Sequence, residues 1–129
     1  MSQENTTEVQ KLMIVDDSKV SRMRIRAFFT ARCPQWAVQE AGSGDEALTV
    51  AADFKPDFVT MDVNMPGISG FEAAEKLMAS HPDIRIVMLT ANIQESSRKQ
   101  ATSLQLNFVA KPATEASLQQ ALDHLLAPK

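Results

Sequence analysis

Short apolar runs that end in polar residues recur along the chain, and helical spacing fills the gaps between them. Lys11 to Val15 is such a run and stops at Asp16-Asp17. A strand buried on both faces reads this way. Ser18 to Arg32 follows with helical spacing. Ser21, Ile25, Phe28, Phe29 and Arg32 fall on one face, whose apolar centre faces a core. Arg22 and Arg26, four residues apart, fall on another face, expected to meet water. Cys33-Pro34 ends that helix. Trp36 to Ala41 alternates as a strand. Gly42-Ser43-Gly44 is a turn, and Asp45 is expected to cap a helix running to about Phe54.

Asp57 to Asp62 is a third, buried strand, again ending in an acid. Val63 to Ser69, with Pro66 and Gly67, is a loop. Gly70 to Ser80 is helical, and His81-Pro82-Asp83 turns the chain. Ile84 to Leu89 forms the fourth strand, closed by Thr90. A polar helix is predicted from Asn92 to about Leu104 and a fifth strand from Leu106 to Ala110. After Lys111-Pro112 comes a last helix, Thr114 to Leu126, with Leu118, Ala121, Leu122 and Leu125 inward. Five strands and five helices in strict alternation predict a doubly wound α/β fold, a parallel sheet with helices on both faces.

Composition narrows the function classes. The 129 residues favour one domain: a disordered tail over residues 1–10, then a single domain over 11–129. The stretch beyond Lys111 suffices for one helix, so no output domain is expected. A net charge of −3 gives no global cationic field for nucleic acid or anionic lipid. The Arg22, Met23, Arg24, Arg26 cluster reads as a solvated helix face. The single cysteine, Cys33, cannot form an internal disulfide, which fits a reducing cytoplasm. Cys33 itself reads as a small helix-end residue. No signal-peptide stretch or membrane-length apolar run is present. His81 and His124 read as solvent-facing or satisfied histidines, not ligands.

The chemistry lies at the strand ends. In an open α/β sheet the site stands at the carboxyl ends of the strands. There the chain places Asp16-Asp17, Asp62, Thr90 and Lys111: three carboxylates, one hydroxyl and one ammonium. Wet loops make any one of these ordinary, but all of them together are hard to obtain by chance. Clustered carboxylates repel one another and need a counter-ion. All-oxygen ligands suit Mg²⁺ or Mn²⁺, not zinc. An aspartate nucleophile forms an acyl phosphate. Lys111, Thr90 and the metal would then steady the phosphoryl oxygens.

In order along the chain stand Ile14-Val15-Asp16-Asp17-Ser18, Met61-Asp62-Val63-Asn64-Met65-Pro66-Gly67-Ile68-Ser69-Gly70, Leu89-Thr90-Ala91 and Phe108-Val109-Ala110-Lys111-Pro112. With these motifs the chain resembles the response-regulator receiver domains of the two-component and chemotaxis type, over about residues 11–127. The resemblance implies the flavodoxin-like strand order 2-1-3-4-5. It implies that Asp62 accepts phosphate from a histidine kinase and becomes an aspartyl phosphate. Asp16, Asp17, Asp62 and the Asn64 carbonyl would hold Mg²⁺. Thr90 would bind the phosphoryl oxygen and shift, and Lys111 would pair with the phosphate from a cis Lys111-Pro112 bond. Ala91, small, would leave room beside the site.

Thr90 and Phe108 take the switch positions. Phe108 stands where tyrosine is frequent, so it lacks a hydroxyl for a neighbouring loop. Asn64 and Asn92 match the positions that tune phosphate lifetime. The expected function is a stand-alone, cytoplasmic response regulator, not an enzyme acting on outside substrates. It would bind a target at the face of the fourth predicted helix, the fifth strand and the last helix, with neither DNA binding nor membrane insertion.

Other readings stay open. One is a phosphorelay intermediate exchanging phosphate with a histidine phosphotransfer protein, and another is a module of a larger regulator. An aspartate-nucleophile phosphatase is more distant, because Asn64 stands where such enzymes carry a second acid. A flavin module is more distant still, since the acids repel a flavin phosphate.

Overall fold

The structure, a computed structural model, describes residues 9–63, 65–90, 106–111 and 114–127. Among these residues five strands and four helices follow one another. They are β1 (Lys11–Val15), α1 (Lys19–Arg32), β2 (Ala37–Ala41), α2 (Gly44–Phe54), β3 (Phe58–Asp62), α3 (Gly70–Ser80), β4 (Arg85–Thr90), β5 (Asn107–Ala110) and α4 (Glu115–Leu126). The helix expected at Asn92 to Leu104 lies outside the described residues, as do residues 1–8 of the expected tail. The sheet is parallel throughout, in the order β2-β1-β3-β4-β5. This is the doubly wound, flavodoxin-like order.

The two-residue period of a strand divides the core into two layers. Met13, Val15, Val59, Met61, Ile86 and Met88 form one layer, with Ala47 and Ala51 of α2 and Phe71 and Leu77 of α3. Leu12, Ile14, Phe58, Val87, Leu89 and Val109 form the other, with Ile25 and Phe29 of α1 and Leu118 and Leu125 of α4. Burying one such side chain contributes about 1.5–3 kcal/mol. Strands covered on both faces explain the nearly unbroken apolar runs of β1, β3 and β4. Continuing the period, Asp16 after Ile14, Asp62 after Thr60 and Lys111 after Val109 fall on the α1 and α4 side.

Hydroxyls begin every described helix. Ser18, Ser43, Ser69 and Thr114 are N-caps, accepting from the amides of Ser21, Glu46, Glu72 and Ser117. Ser43 thus takes the capping role expected of Asp45, which stands in the first turn of α2. α2 begins at Gly44, where a Cβ would stand 2.5 Å from Ile68 Cγ1. Asp45 still favours that end through the helix dipole.

Two further expectations are corrected. Arg22 does not face water. It is tied to Glu40 and to the Asp16 carbonyl, because the start of α1 crosses the ends of β1 and β2. His81 is half-buried and not fully satisfied. It caps α3, and its Nδ1 is buried without a hydrogen-bond partner among the described residues.

Candidate functional site

Four parallel strands finish at one edge, and each brings a polar side chain there. Asp16 and Asp17 follow β1, Asp62 is the last residue of β3, Thr90 is the last of β4, and Lys111 follows β5. Asp16, Asp62 and Thr90 are buried, Lys111 is half-buried and Asp17 is exposed. The cluster therefore opens to solvent on the Asp17 side.

Each of the three acids offers a carboxylate oxygen, and these oxygens lie within 4.8 Å of one another. Lys111 Nζ donates to Asp16 Oδ2 at 2.7 Å and lies 3.6 Å from Asp62 Oδ1. Among the described residues Lys111 lies against two of the three carboxylates, Asp16 and Asp62, and acids clustered this closely favour a bound cation. Oxygens bound to one Mg²⁺ at about 2.1 Å stand about 3–4 Å apart, so modest inward movement would gather these three. The donor set is all oxygen. The residues present fit a hard divalent cation and do not fit zinc.

The Asp16 carboxylate is held from several directions. Its Oδ1 accepts from the Ser18 amide at 2.9 Å, and its Oδ2 accepts from Ser21 Oγ at 2.7 Å as well as from Lys111. Lys111 is tied at both ends, since its amide donates to the Thr90 carbonyl at 2.7 Å. That bond sets the end of β5 beside the end of β4.

The loop after Asp62 is shaped by close approach. The Gly70 amide donates to the Val63 carbonyl at 3.0 Å. A Cβ on Gly70 would stand 2.0 Å from the Asp62 carbonyl oxygen, so only glycine lets α3 begin against the end of β3. Gly67 turns the loop with φ +82°.

Asp16, Asp17, Asp62 and Lys111 are thus brought together as expected. Thr90 reaches the same edge, its backbone bonded to Lys111. Phe108 is half-buried and packs against the core layer under α2 and α3. Asn64, Ala91, Asn92 and Pro112, with the cis bond expected at Lys111-Pro112, lie outside the described residues. Ser21, Arg22 and Gly70 join the site although their place in the sequence pattern assigns them no role there. A serine and an arginine one turn beyond paired acids, and a glycine after the loop, were the available signals.

Residues 12–123 match the family model described as the response regulator receiver domain. Over 80 residues the chain is 44% identical to the response regulator GacA of Pseudomonas syringae pv. syringae, a stretch that is 62% of this chain and 37% of that relative. The chain therefore spans little more than a third of that relative's length. The chemotaxis response regulator CheY4 of Vibrio cholerae is 25% identical with a TM-score of 0.81, covering 92% of this chain and all of that one. A response regulator of Burkholderia pseudomallei, solved with a phosphorylated aspartic acid, a calcium ion and citrate, is 28% identical with a TM-score of 0.80. It is covered over 92% of this chain and 67% of its own. By its matched family model, its strand order and the acids at its sheet edge, the chain belongs to the response regulator receiver domain family.

Proposed function

We propose that Asp62 accepts a phosphoryl group from the phosphohistidine of a partner kinase, and that the phosphorylated chain changes its affinity for a target protein. The observation that carries this is the position of Lys111 Nζ, 3.6 Å from Asp62 Oδ1, beside the three clustered carboxylates. The phosphorylated aspartate of the Burkholderia response regulator supports it.

In the step itself an Asp62 carboxylate oxygen forms a bond to phosphorus. The bond between phosphorus and the histidine nitrogen breaks, and the departing imidazole nitrogen takes up a proton. Lys111 supplies positive charge where negative charge collects on the phosphoryl oxygens. Thr90 supplies a hydroxyl from the end of β4. Asp16, Asp17, Asp62 and the Asn64 carbonyl would hold Mg²⁺, which when bound neutralises the acids and the incoming phosphate.

Thr90 and Phe108 lie one strand apart, with Met88 paired to Phe108 and Thr90 to Ala110. A pull on Thr90 by the phosphate would repack Phe108 and alter the face near β5 and α4. A local charge event thereby biases a two-state packing.

Acetyl phosphate with Mg²⁺, followed by intact mass, tests the acceptor. One phosphate adduct is expected on the wild type and none on Asp62→Asn. An adduct that survives in the variant would exclude Asp62.

A further inference from the structure

Arg22 is not among the acids, hydroxyl and lysine assigned above, yet it holds their backbone. From the first turn of α1, its Nη1 donates to the Asp16 carbonyl at 2.6 Å and its Nε to Glu40 Oε1 at 2.9 Å. A Cβ on Gly42 would come 3.4 Å from the same Nη1. One guanidinium therefore joins the end of β1 to the end of β2, close to the turn before α2. It does so half-buried, with 18% of its side chain exposed.

The accepting carbonyl belongs to the peptide that links Asp16 to Asp17. Rotating that peptide would swing the Asp17 carboxylate away from Asp62. The Asp16 side chain is already fixed by Ser18, Ser21 and Lys111. Asp17 is the exposed acid of the three, so its direction depends most on the peptide before it. A planar guanidinium that donates in two directions fixes such a peptide better than a flexible ammonium.

We propose that Arg22 is a positioning residue for the cation site: it locks the Asp16–Asp17 peptide so that Asp17 is presented to a divalent cation shared with Asp62. This rests on the reading of Asp16, Asp17 and Asp62 as cation ligands given above. Two effects of the guanidinium oppose each other. Its charge repels a cation, and its hydrogen bond arranges the ligands. Glu40 lies 2.9 Å from Arg22 and 3.5 Å from Arg26, so its carboxylate, shared by two guanidinium groups, offsets part of the repulsion, and the proposal is that the arrangement outweighs the remainder.

Titration calorimetry with Mg²⁺ tests this on the full chain as wild type, Arg22→Met, Arg22→Lys and Glu40→Gln. The unfolding midpoint of each is measured without Mg²⁺. Removing a residue that orients a metal ligand weakens binding about 10-fold or more, the rise in Kd expected for Arg22→Met. Arg22→Lys, with the charge but not the fork, falls between it and wild type and serves if Arg22→Met does not fold. Glu40→Gln keeps the carbonyl bond but removes the carboxylate that offsets the guanidinium charge, so its Kd should rise less than that of Arg22→Met. With acetyl phosphate, the half-saturating Mg²⁺ concentration rises in the Arg22 variants while the rate at saturating Mg²⁺ holds, a split that general loosening would not produce. Unchanged or tighter Mg²⁺ binding by a folded Arg22 variant overturns the inference alone. A wild-type chain that binds no Mg²⁺ overturns both the inference and the cation reading beneath it.

Discussion

Lys111 Nζ lies 2.7 Å from Asp16 Oδ2, although the two residues stand 95 positions apart in the chain. Asp16 is almost wholly buried, with 1% of its side chain exposed against 15% for Lys111. Such a pair adds little net stability, but losing one partner strands a buried charge. Lys111→Met should therefore destabilise the fold by about 3 kcal/mol, read as a lower urea midpoint in Mg²⁺-free buffer. Added Mg²⁺ should restore part of the loss, since a ligand that binds only the folded state stabilises it. An unchanged midpoint would show that the ammonium is dispensable to the cluster.

Gly70→Ala should be among the most damaging single-methyl changes available. The added carbon would stand 2.0 Å from the Asp62 carbonyl oxygen, and both are backbone-bound. Overpacking of this kind costs about 1–3 kcal/mol. The variant should unfold at lower urea and take up phosphate from acetyl phosphate more slowly, because the end of β3 must move. Wild-type behaviour in both assays would contradict the close approach.

Removing the cap of α2 separates two neighbouring candidates. Ser43→Ala loses the hydroxyl that accepts from the Glu46 amide and should cost about 1 kcal/mol. Asp45→Ala loses only a charge near the helix start, worth about 0.3–1 kcal/mol and weakened by salt. Paired denaturation curves at low and high salt distinguish them. A larger, salt-independent loss in Asp45→Ala would restore Asp45 as the cap.

Burial raises the pKa of the Cys33 thiol above its ordinary value near 9.0, and the neighbouring Arg32 charge opposes the rise. Above about pH 9.0 the unfolded chain releases this proton while the folded chain keeps it. The unfolded state then binds fewer protons, so stability falls as pH rises toward the folded value. Below that window the thiol makes no difference. Urea midpoints taken below and above it should fall further for the wild type than for Cys33→Ala. Parallel pH slopes in the two proteins would rule out the contribution.

Much of the fold was legible because the strands sit between two helical layers and so spell out apolar runs with polar ends. Asp62 and Lys111 were visible for that reason alone. Arg22 was misplaced because a helical wheel shows which residues share a face, not what lies opposite. Its partner Glu40 is 18 positions away, on a strand whose neighbours depend on topology. Ser43 and Asp45 belong to the same capping class, and it is the Ser43 hydroxyl that accepts from the Glu46 amide. Ser21 looked like the polar margin of an apolar stripe. Its bond to Asp16 appears only once α1 lies across the end of β1.

The double tie of Lys111, by its amide to Thr90 and its ammonium to Asp16, also has a consequence for synthesis. A ribosome releases Asp16, Asp17 and Asp62 long before Lys111, so the emerging chain carries these acids without their cation. Until the last strand docks, the cluster repels itself and β1 and β3 lack their shared counter-charge. On the reading of Asp62 as the acceptor proposed above, a half-made chain would be a poor phosphate acceptor, and competence to receive a signal would arrive only with the final strand.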